Sequence, residues 1–312
     1  MSSDASGSTS VETWPCPLCG GDRAAPVLQG RDTWRGGVDL FQVVRCRDCT
    51  MVRTNPRPVA SALSDFFDAS YPFYRRAHEA ASPDPRELER RLRPFIPRAR
   101  RLTEFAGSPG RLLDVGCGDG HFMTAMKRQG WSVSGIERDA STCAHARGLG
   151  HDVVDCSFEE FPATPGGYDA ITMWGVLQLS TDPVRTLSLA SRLLRPGGVM
   201  AVGVSNFASL DRSVLRGRWW GLGLPRHLCH FEPHTITRMM NDTGLNVLKV
   251  LMDAPEWVAI ENANTLLGIR GSTGFPRRAL RRMVVHLIRA AYLFTAGTRG
   301  APVMEVYAAK PL

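Results

Sequence analysis

The sequence predicts an α/β fold with a parallel sheet, preceded by a small metal-binding region. Three observations support this prediction. From Arg111 onward, short apolar strand segments alternate with helical segments, which implies a parallel sheet covered by helices on both faces. The first of these strands runs directly into three alternating glycines. Nearer the N-terminus, four cysteines form two CxxC pairs, a spacing typical of metal sites.

The composition is that of an ordinary globular protein. Hydrophobic residues make up 43% of the 312 residues and charged residues 22%, with a formal net charge of +8. Only three of the 38 basic residues are lysines, so codon bias toward arginine is the simplest explanation of the charge, and an anionic partner is the alternative. The polar N-terminus lacks a signal core and the apolar run at 283–296 is too short for a bilayer span, which predicts a cytoplasmic protein.

The chain divides into four predicted regions. Residues 1–13 are rich in serine and are predicted to be a disordered tail, whereas residues 14–58 hold the cysteine pairs. Residues 59–110 are rich in proline and arginine and are predicted to form a helical linker or lid. Residues 111–312 form the α/β domain, with a helical insertion at 254–300.

The α/β domain alternates strands and helices in a regular order. Its predicted strands lie at 111–115, 131–136, 152–154, 168–174, 199–204, 246–252 and 303–308. Its predicted helices lie at 121–129, 139–147, 183–194 and 233–243. Glycines after several of these helices are typical stop signals.

The glycine turn is the strongest functional signal. Asp114 precedes it, and Gly116, Gly118 and Gly120 allow the backbone to turn sharply and to approach a ligand closely. Glu137 ends the next strand, 21 residues after the first glycine, where a carboxylate can accept both hydroxyls of a ribose. A glycine turn alone also fits a nicotinamide site or a structural turn, so the distinction rests on the two acids.

These residues, with the turn at 195–198, resemble the class I S-adenosylmethionine-dependent methyltransferases over residues 111–312. The resemblance implies a Rossmann-like, seven-stranded sheet whose final pair of strands, 246–252 and 303–308, includes an antiparallel one. It also implies that 114–120 cradle the methionine part of S-adenosylmethionine, that Glu137 holds the ribose and that 154–158 contact adenine. The implied cofactor-binding residues are Asp114, Gly116, Cys117, Gly118, Gly120, Glu137, Asp155, Cys156, Ser157 and Trp174.

The segment that follows the fourth strand resembles the same family with two departures. Gln178 stands where Glu is usual, and Leu179 stands where His is usual. Trp174, at the carboxyl end of the strand, faces either the cofactor or the core. Because of these two departures, a protein that binds the cofactor without transferring a methyl group remains an alternative.

Residues 224–231 closely resemble the P.HL..F element of the methyltransferase-23 type of this family. His227 and His230 are therefore candidate catalytic residues, because a histidine with a pKa near neutrality can accept a substrate proton. The alternative is that one histidine caps the next helix or fixes the loop. A base is not required, since the sulfonium already activates the methyl group and alignment supplies much of the rate.

The cysteine pairs predict a structural zinc site, because four thiolates complete a tetrahedron and leave no open position; a redox role is the alternative. The four ligands are Cys16, Cys19, Cys46 and Cys49. The region resembles the zinc-ribbon-like head of many bacterial methyltransferases, some of them in sugar, cell-surface glycan or secondary-metabolite pathways. Thr50 stands where that head usually has glycine, so the second turn is expected to differ slightly.

An aromatic cluster follows the head. It is predicted either to close over the cofactor as a lid or to contact the neighbouring domain. Its members are Tyr71, Phe73 and Tyr74.

The helical insertion is basic and holds no acidic residue at 262–304. Its arginines are Arg270, Arg277, Arg278, Arg281, Arg282, Arg289 and Arg299. Leu280, Val284, Leu287 and Ala291 have helical spacing, which predicts a basic amphipathic helix. Such a helix can contact an anionic membrane peripherally or grip a phosphorylated acceptor, but a solvated arginine face is the preferred interpretation.

The sequence therefore predicts an enzyme that transfers a methyl group from S-adenosylmethionine to a small-molecule acceptor in a bacterial biosynthetic pathway. Sugars, lipid-linked intermediates and natural products are the candidate acceptors, and the charge suits an anionic or phosphorylated one. A nucleic-acid methyltransferase is an alternative for a basic chain with a zinc knuckle. The fourth strand, however, ends in Met-Trp-Gly rather than in an Asn/Asp-Pro-Pro-Tyr motif, which argues against nucleic acid as the partner.

Overall fold

The computed structural model describes residues 9–32, 39–67, 85–162, 164–269, 275–295, 298 and 300–312. The strands of this part are β1 (Val11–Glu12), β2 (Ala24–Arg31), β3 (Leu40–Cys46), β4 (Val52–Thr54), β5 (Arg57–Pro58), β6 (Arg111–Val115), β7 (Ser132–Glu137), β8 (Asp152–Asp155), β9 (Tyr168–Trp174), β10 (Leu194–Ser205), β11 (Cys229–His230), β12 (Asn246–Asp253) and β13 (Val303–Ala309). Its helices are α1 (Ala60–Leu63), α2 (Pro85–Leu92), α3 (Ile96–Ala106), α4 (His121–Lys127), α5 (Ala140–Gly148), α6 (Pro183–Leu193), α7 (Leu210–Leu215), α8 (Pro233–Asp242), α9 (Glu256–Leu267) and α10 (Phe275–Thr295). A short 3-10 helix, Leu177–Leu179, follows β9.

The main sheet contains seven strands in the order β12-β13-β10-β9-β6-β7-β8. The strands β6 to β10 run parallel to one another. Strand β13 lies between β10 and β12 and is antiparallel to both. The predicted α/β class, with seven strands and an antiparallel final pair, is therefore confirmed.

The predicted elements of this sheet lie within two residues of the observed ones, except at the start of the fifth strand. Strand β10 begins at Leu194, which already pairs with Tyr168 of β9. The register then shifts before Val199, and Gly197 in between has a φ of +74°. The predicted turn at 195–198 is thus an irregularity inside the strand, where extra residues leave the ladder and pairing resumes.

Helices cover both faces of the main sheet. Helices α3, α4 and α5 pack on one face, and α6 and α8 pack on the other. The second face also carries the cysteine region, because Trp14, Met51 and Leu63 share one apolar core with Leu187 and Met239. The cysteine region is therefore packed directly on the main sheet.

A second sheet has four strands in the order β11-β4-β3-β2. Strands β2, β3 and β4 come from the cysteine region, whereas β11 belongs to the segment 224–231. Strand β11 is antiparallel to β4, with Cys229 opposite Arg53 and His230 opposite Val52. A segment from the middle of the α/β domain thus completes the sheet of the cysteine region.

The helical insertion packs mainly through a face that the sequence pattern did not single out. Val258 of α9 forms a small core with Val285 and Tyr292 of α10. Of the predicted apolar stripe, Val284 packs against this core, whereas Leu280, Leu287 and Ala291 are exposed. The predicted helix is present, but most of its predicted stripe faces solvent.

Some predicted features lie outside the described residues. They are residues 1–8 of the predicted tail, Tyr71, Phe73, Tyr74, Arg270 and Arg299. Among the helices of the described ranges, none is long and apolar enough to cross a membrane.

Candidate functional site

The glycine turn lies at the carboxyl edge of the main sheet, between β6 and α4. Gly116, Gly118 and Gly120 have φ angles of +68°, +54° and +77°, which are left-handed conformations that favour glycine. A Cβ on Gly116 would collide with Val176, and one on Gly120 would lie 2.8 Å from His151 Cδ2. A Cβ on Gly118 would meet no atom of the described chain within 4 Å. The centre of the turn therefore faces open space, as a cradle for a ligand requires.

Asp114 is a buried acid at the end of β6. Its Oδ1 accepts a hydrogen bond of 2.6 Å from Thr172 Oγ1, on the adjacent strand β9. Burial, together with the nearby charge of Glu137, raises the pKa of Asp114 to about 7. Thr172 was not predicted as a site residue, because only the pairing of β6 with β9 brings its hydroxyl to Asp114.

Glu137 lies across the turn from Asp114, at the end of β7. Its carboxylate accepts hydrogen bonds from the backbone N–H groups of Gly118 at 3.1 Å, Arg138 at 2.7 Å and Asp139 at 3.1 Å. Burial raises the pKa of this carboxyl even though the three N–H groups oppose the shift. Two acids thus share one buried edge, which suits a ligand that brings an ammonium group and hydroxyl donors.

The predicted adenine segment reaches the same edge through β8. Asp155 pairs with Glu137 in the ladder between β7 and β8, and its side chain is exposed. Cys156 is half-buried beside it. Ser157 Oγ donates a hydrogen bond of 2.7 Å to Glu160 Oε2. The structure therefore brings these three residues to the site, with the Ser157 hydroxyl engaged within its own turn.

The thiol of Cys117 points into the protein rather than toward the open space. The residue is 7% exposed, and a Cβ on Gly135 of β7 would lie 2.7 Å from its Sγ. Burial raises the pKa of the thiol above its ordinary range. Residue 117 can contribute to a ligand site through its backbone only.

Trp174 ends β9 at the carboxyl edge of the sheet. Its ring packs edge-on against Phe122, with 5.2 Å between centroids, and the Arg98 guanidinium lies 4.9 Å from its centre. Arg98 Nε donates to the buried carboxylate of Glu305 at 2.6 Å. This arginine, from a helix that the sequence assigned to a linker or lid, contacts a predicted site residue, and the motifs did not identify it. A cation and an aromatic ring therefore lie together at the end of β9.

His227 and His230 are buried between the second sheet and the loop before β11. His227 Nδ1 donates to the Gly221 carbonyl at 2.9 Å, and His230 Nε2 lies 3.1 Å from Thr54 Oγ1. Burial lowers the pKa of His227 to about 4 and that of His230 to about 3. Both histidines are neutral and only weakly basic at pH 7, so these contacts favour the alternative in which they fix the loop. Their catalytic role stays a prediction.

The four predicted metal ligands converge. Their sulfur atoms all lie within 4.8 Å of one another, with 3.4 Å between the Sγ atoms of Cys16 and Cys49 and 3.6 Å between those of Cys19 and Cys46. Zinc bound to four thiolates at about 2.3 Å would separate the sulfurs by about 3.8 Å. The donor set and its spacing therefore fit a closed, tetrahedral site.

The two cysteine turns share one conformation, contrary to the expectation from Thr50. Gly20 has a φ of +74° and Thr50 a φ of +65°. Each N–H donates to the carbonyl of the first cysteine of its pair, at 2.8 Å to Cys16 and at 3.1 Å to Cys46. Thr50 therefore adopts a left-handed conformation that is unfavourable for a β-branched residue.

A family model described as "Methyltransferase domain" matches residues 85–250, which is more than half of the chain. The chain belongs to this methyltransferase-domain family. A ubiquinone biosynthesis O-methyltransferase from Aromatoleum aromaticum is 30% identical over 160 residues, which are 47% of this chain and 68% of the relative. Six other relatives with that name share 31–35% identity with this chain, which spans only 40–49% of their length.

Solved structures share the fold of this methyltransferase-domain chain. A 1,6-didemethyltoxoflavin-N1-methyltransferase from Burkholderia thailandensis aligns with a TM-score of 0.51 and 14% identity, covering 85% of this chain and 98% of its own. A (4+2)-cyclase aligns with a TM-score of 0.50 and 20% identity, covering 70% of this chain and 82% of its own. At these identities the likeness concerns the fold alone.

Replacing Thr50 by glycine tests the strain in the second turn. We expect Thr50→Gly to raise the melting temperature, because strain at a left-handed β-branched residue is about 1–3 kcal/mol. Thr50 Oγ1 lies 2.6 Å from His234 Nε2, so His234→Ala is the control that removes this contact and keeps the strain. A lower melting temperature for Thr50→Gly in thermal unfolding would contradict the expectation.

Gly118→Val tests the open space in the glycine turn. We expect the affinity for S-adenosylhomocysteine, measured by calorimetry, to fall at least about tenfold because the side chain enters that space. Gly107→Val is a matched control, since Gly107 has a φ of +78°, faces open space and lies at the end of α3. Both variants carry similar strain, so equal affinities would exclude Gly118 from the binding site.

Proposed function

We propose that the protein is an S-adenosylmethionine-dependent methyltransferase that acts on a small-molecule acceptor. The observation that carries this proposal is the open position at Gly118, set between the buried carboxyl groups of Asp114 and Glu137. Membership of the methyltransferase-domain family and the O-methyltransferase names of the relatives support it.

Each acid has a distinct part in the proposed site. Asp114, held by Thr172, would receive the ammonium group of the cofactor, and Glu137 would accept its ribose hydroxyls. The backbone at Gly118 would approach the methionine part, and Cys156 and Ser157 would border the adenine. The bound cofactor supplies a methyl group on a sulfonium, which is activated for transfer without further help from the protein.

The chain's own contribution to the reaction would be alignment and exclusion of water. Trp174 and Arg98 stack at the carboxyl edge, where ligands of open α/β sheets bind, and they would border the acceptor. Holding a nucleophile in line with a reactive centre can provide most of a rate enhancement. We therefore propose a site in which no histidine has to act as a base.

A binding protein without methyl transfer is the second candidate. The (4+2)-cyclase has the same fold, so the fold alone does not determine the reaction. Gln178 and Leu179 depart from the family segment, and this departure supports the second candidate. We do not propose nucleic acid as the partner. The feature that would favour it is the charged surface of α10, and that surface has another explanation.

That surface is better described as a solvated arginine face. Given 3.6 residues per turn, Arg278, Arg282 and Arg289 lie on roughly the opposite side of α10 from the exposed Leu280 and Leu287. One membrane surface cannot meet both sets at once. We therefore favour codon bias over an anionic membrane as the origin of these arginines.

Calorimetry with S-adenosylmethionine and S-adenosylhomocysteine tests the cofactor assignment. We expect both to bind, and the affinity to fall as the pH drops below about 7, because protonated Asp114 no longer attracts an ammonium group. Asp114→Asn should bind at least about tenfold more weakly at pH 8 and lose most of this pH dependence. Asp152→Asn, an exposed acid on β8, is the control.

The outcomes separate the candidates. If neither ligand binds, both candidate functions are overturned. Binding together with a gain of one methyl group in an acceptor, detected by mass spectrometry, supports the methyltransferase. Binding without such a gain in sugar, lipid-linked or phenolic acceptors supports the second candidate.

We also propose that the four cysteines hold a structural Zn²⁺. Elemental analysis should find about one zinc per chain in the wild type and little in the double variant Cys16→Ser/Cys19→Ser, because two thiolates no longer complete the tetrahedron. Cys156→Ser, outside the cluster, should retain the metal. A zinc content that is the same in all three proteins would rule out the site.

A further inference from the structure

Arg53 is a buried cation that has no counter-charge among the described residues. It lies in β4, its side chain is fully buried, and its Nε, Nη1 and Nη2 have no hydrogen-bond partner within the described part of the chain. A guanidinium remains charged at any pH that a protein tolerates and offers five N–H donors. Burying a guanidinium without hydrogen-bond acceptors is strongly unfavourable, so we expect an anionic partner at this position.

The same protein provides a comparison in Arg226, which is also fully buried. Arg226 Nη2 lies 3.0 Å from Asp32 Oδ2, and its Nε donates to the Phe66 carbonyl at 2.6 Å. The fold thus supplies this buried arginine with both a carboxylate and a carbonyl. Arg53 receives neither.

Asp182 is one acid in this region. It lies close enough to Cys229, the ladder partner of Arg53, to influence that thiol electrostatically. Its carboxylate, however, accepts the N–H of Arg185 at 3.0 Å as the N-cap of α6. The Arg53 nitrogens have no hydrogen-bond partner among the described residues, so Asp182 does not pair with the guanidinium.

Two backbone hydrogen bonds connect Arg53 to the carboxyl edge of the main sheet. The N–H of Thr54 donates to the Leu228 carbonyl at 3.0 Å, and the N–H of Leu228 donates to the Gln178 carbonyl at 2.8 Å. Gln178 belongs to the short helix that follows β9, directly after Trp174. Its side chain is 6% exposed, and its Oε1 also has no hydrogen-bond partner in the described ranges. The backbones of two residues with orphaned polar side chains are therefore linked through Leu228 to the edge where ligands of α/β sheets bind.

We propose that Arg53 binds an oxyanion of the acceptor, either a carboxylate or a phosphate, with Gln178 as a second polar contact. The planar guanidinium matches both groups because it can donate two parallel hydrogen bonds. Because Arg53 is sealed from solvent, an anion reaches it only when the segments around it open. This inference rests on the proposed function, and it gives the cysteine region a direct part in selecting the acceptor.

Thermal unfolding of the full chain with S-adenosylhomocysteine tests the site. Inorganic phosphate and acetate are titrated separately, with chloride adjusted to constant ionic strength. We expect at least one of the two anions to raise the melting temperature saturably, because a ligand of the native state stabilises it. A stronger response to phosphate assigns a phosphorylated acceptor, and a stronger response to acetate assigns a carboxylated one.

Arg53→Met should weaken the anion response at least tenfold. Arg23→Met is the matched control, because Arg23 lies in the same region, is 76% exposed and pairs with Asp48. Its response should equal that of the wild type. Affinity for S-adenosylhomocysteine should be unchanged in Arg53→Met, which separates this site from the cofactor site.

Gln178→Glu provides a second test that does not remove the arginine. The new carboxylate would neutralise Arg53, raise the melting temperature without added anion and abolish the anion response. This variant decides the matter if Arg53→Met does not fold. A wild type insensitive to both anions, or a full response in either variant, would overturn the inference. Failure of cofactor binding would instead overturn the proposed function and leave the anion response standing.

Discussion

The pairing of β4 with β11 is the contact on which the arrangement of the protein depends. Two residues from the middle of the α/β domain complete the sheet of the cysteine region. The same ladder places Arg53 in the interior, holds His230 against Thr54 and sets Leu228 between β4 and the helix after β9. The cysteine region and the candidate acceptor side therefore determine each other's geometry.

Uncompensated buried charge is concentrated at the candidate site. Asp114 and Glu137 share one low-dielectric edge, and Arg53 has no acceptor among the described residues. Other buried charges in the described ranges are matched, as Asp32 is by Arg226 and Glu232 by Arg45. Proteins tolerate such unfavourable groups mainly where a ligand offsets them, so the distribution of charge indicates function independently of the motifs.

Local signals predicted the main sheet, the glycine turn and the cluster of four cysteines, because each signal lies within a few neighbouring residues. Thr172 and Arg98 escaped prediction since their contacts depend on strand order and on helix packing over long sequence distances. Strand β11 has only two residues, which is too short for a sequence period to predict a strand. For α10, the stripe with Leu280 and the stripe with Val285 both have helical spacing, and only the position of α9 decides which one packs.

The topology of the second sheet also constrains the order of events during synthesis. Strands β2, β3 and β4 leave the ribosome early, but the outer edge of β4 has no partner until residue 230 has been made. An unpaired strand edge can pair with other chains and promote aggregation, and long-range strand pairing forms slowly. The nascent chain must therefore keep an open edge while residues 55–230 are made. Early capture of the proposed Zn²⁺, which would rigidify the two cysteine turns, would protect it during that interval.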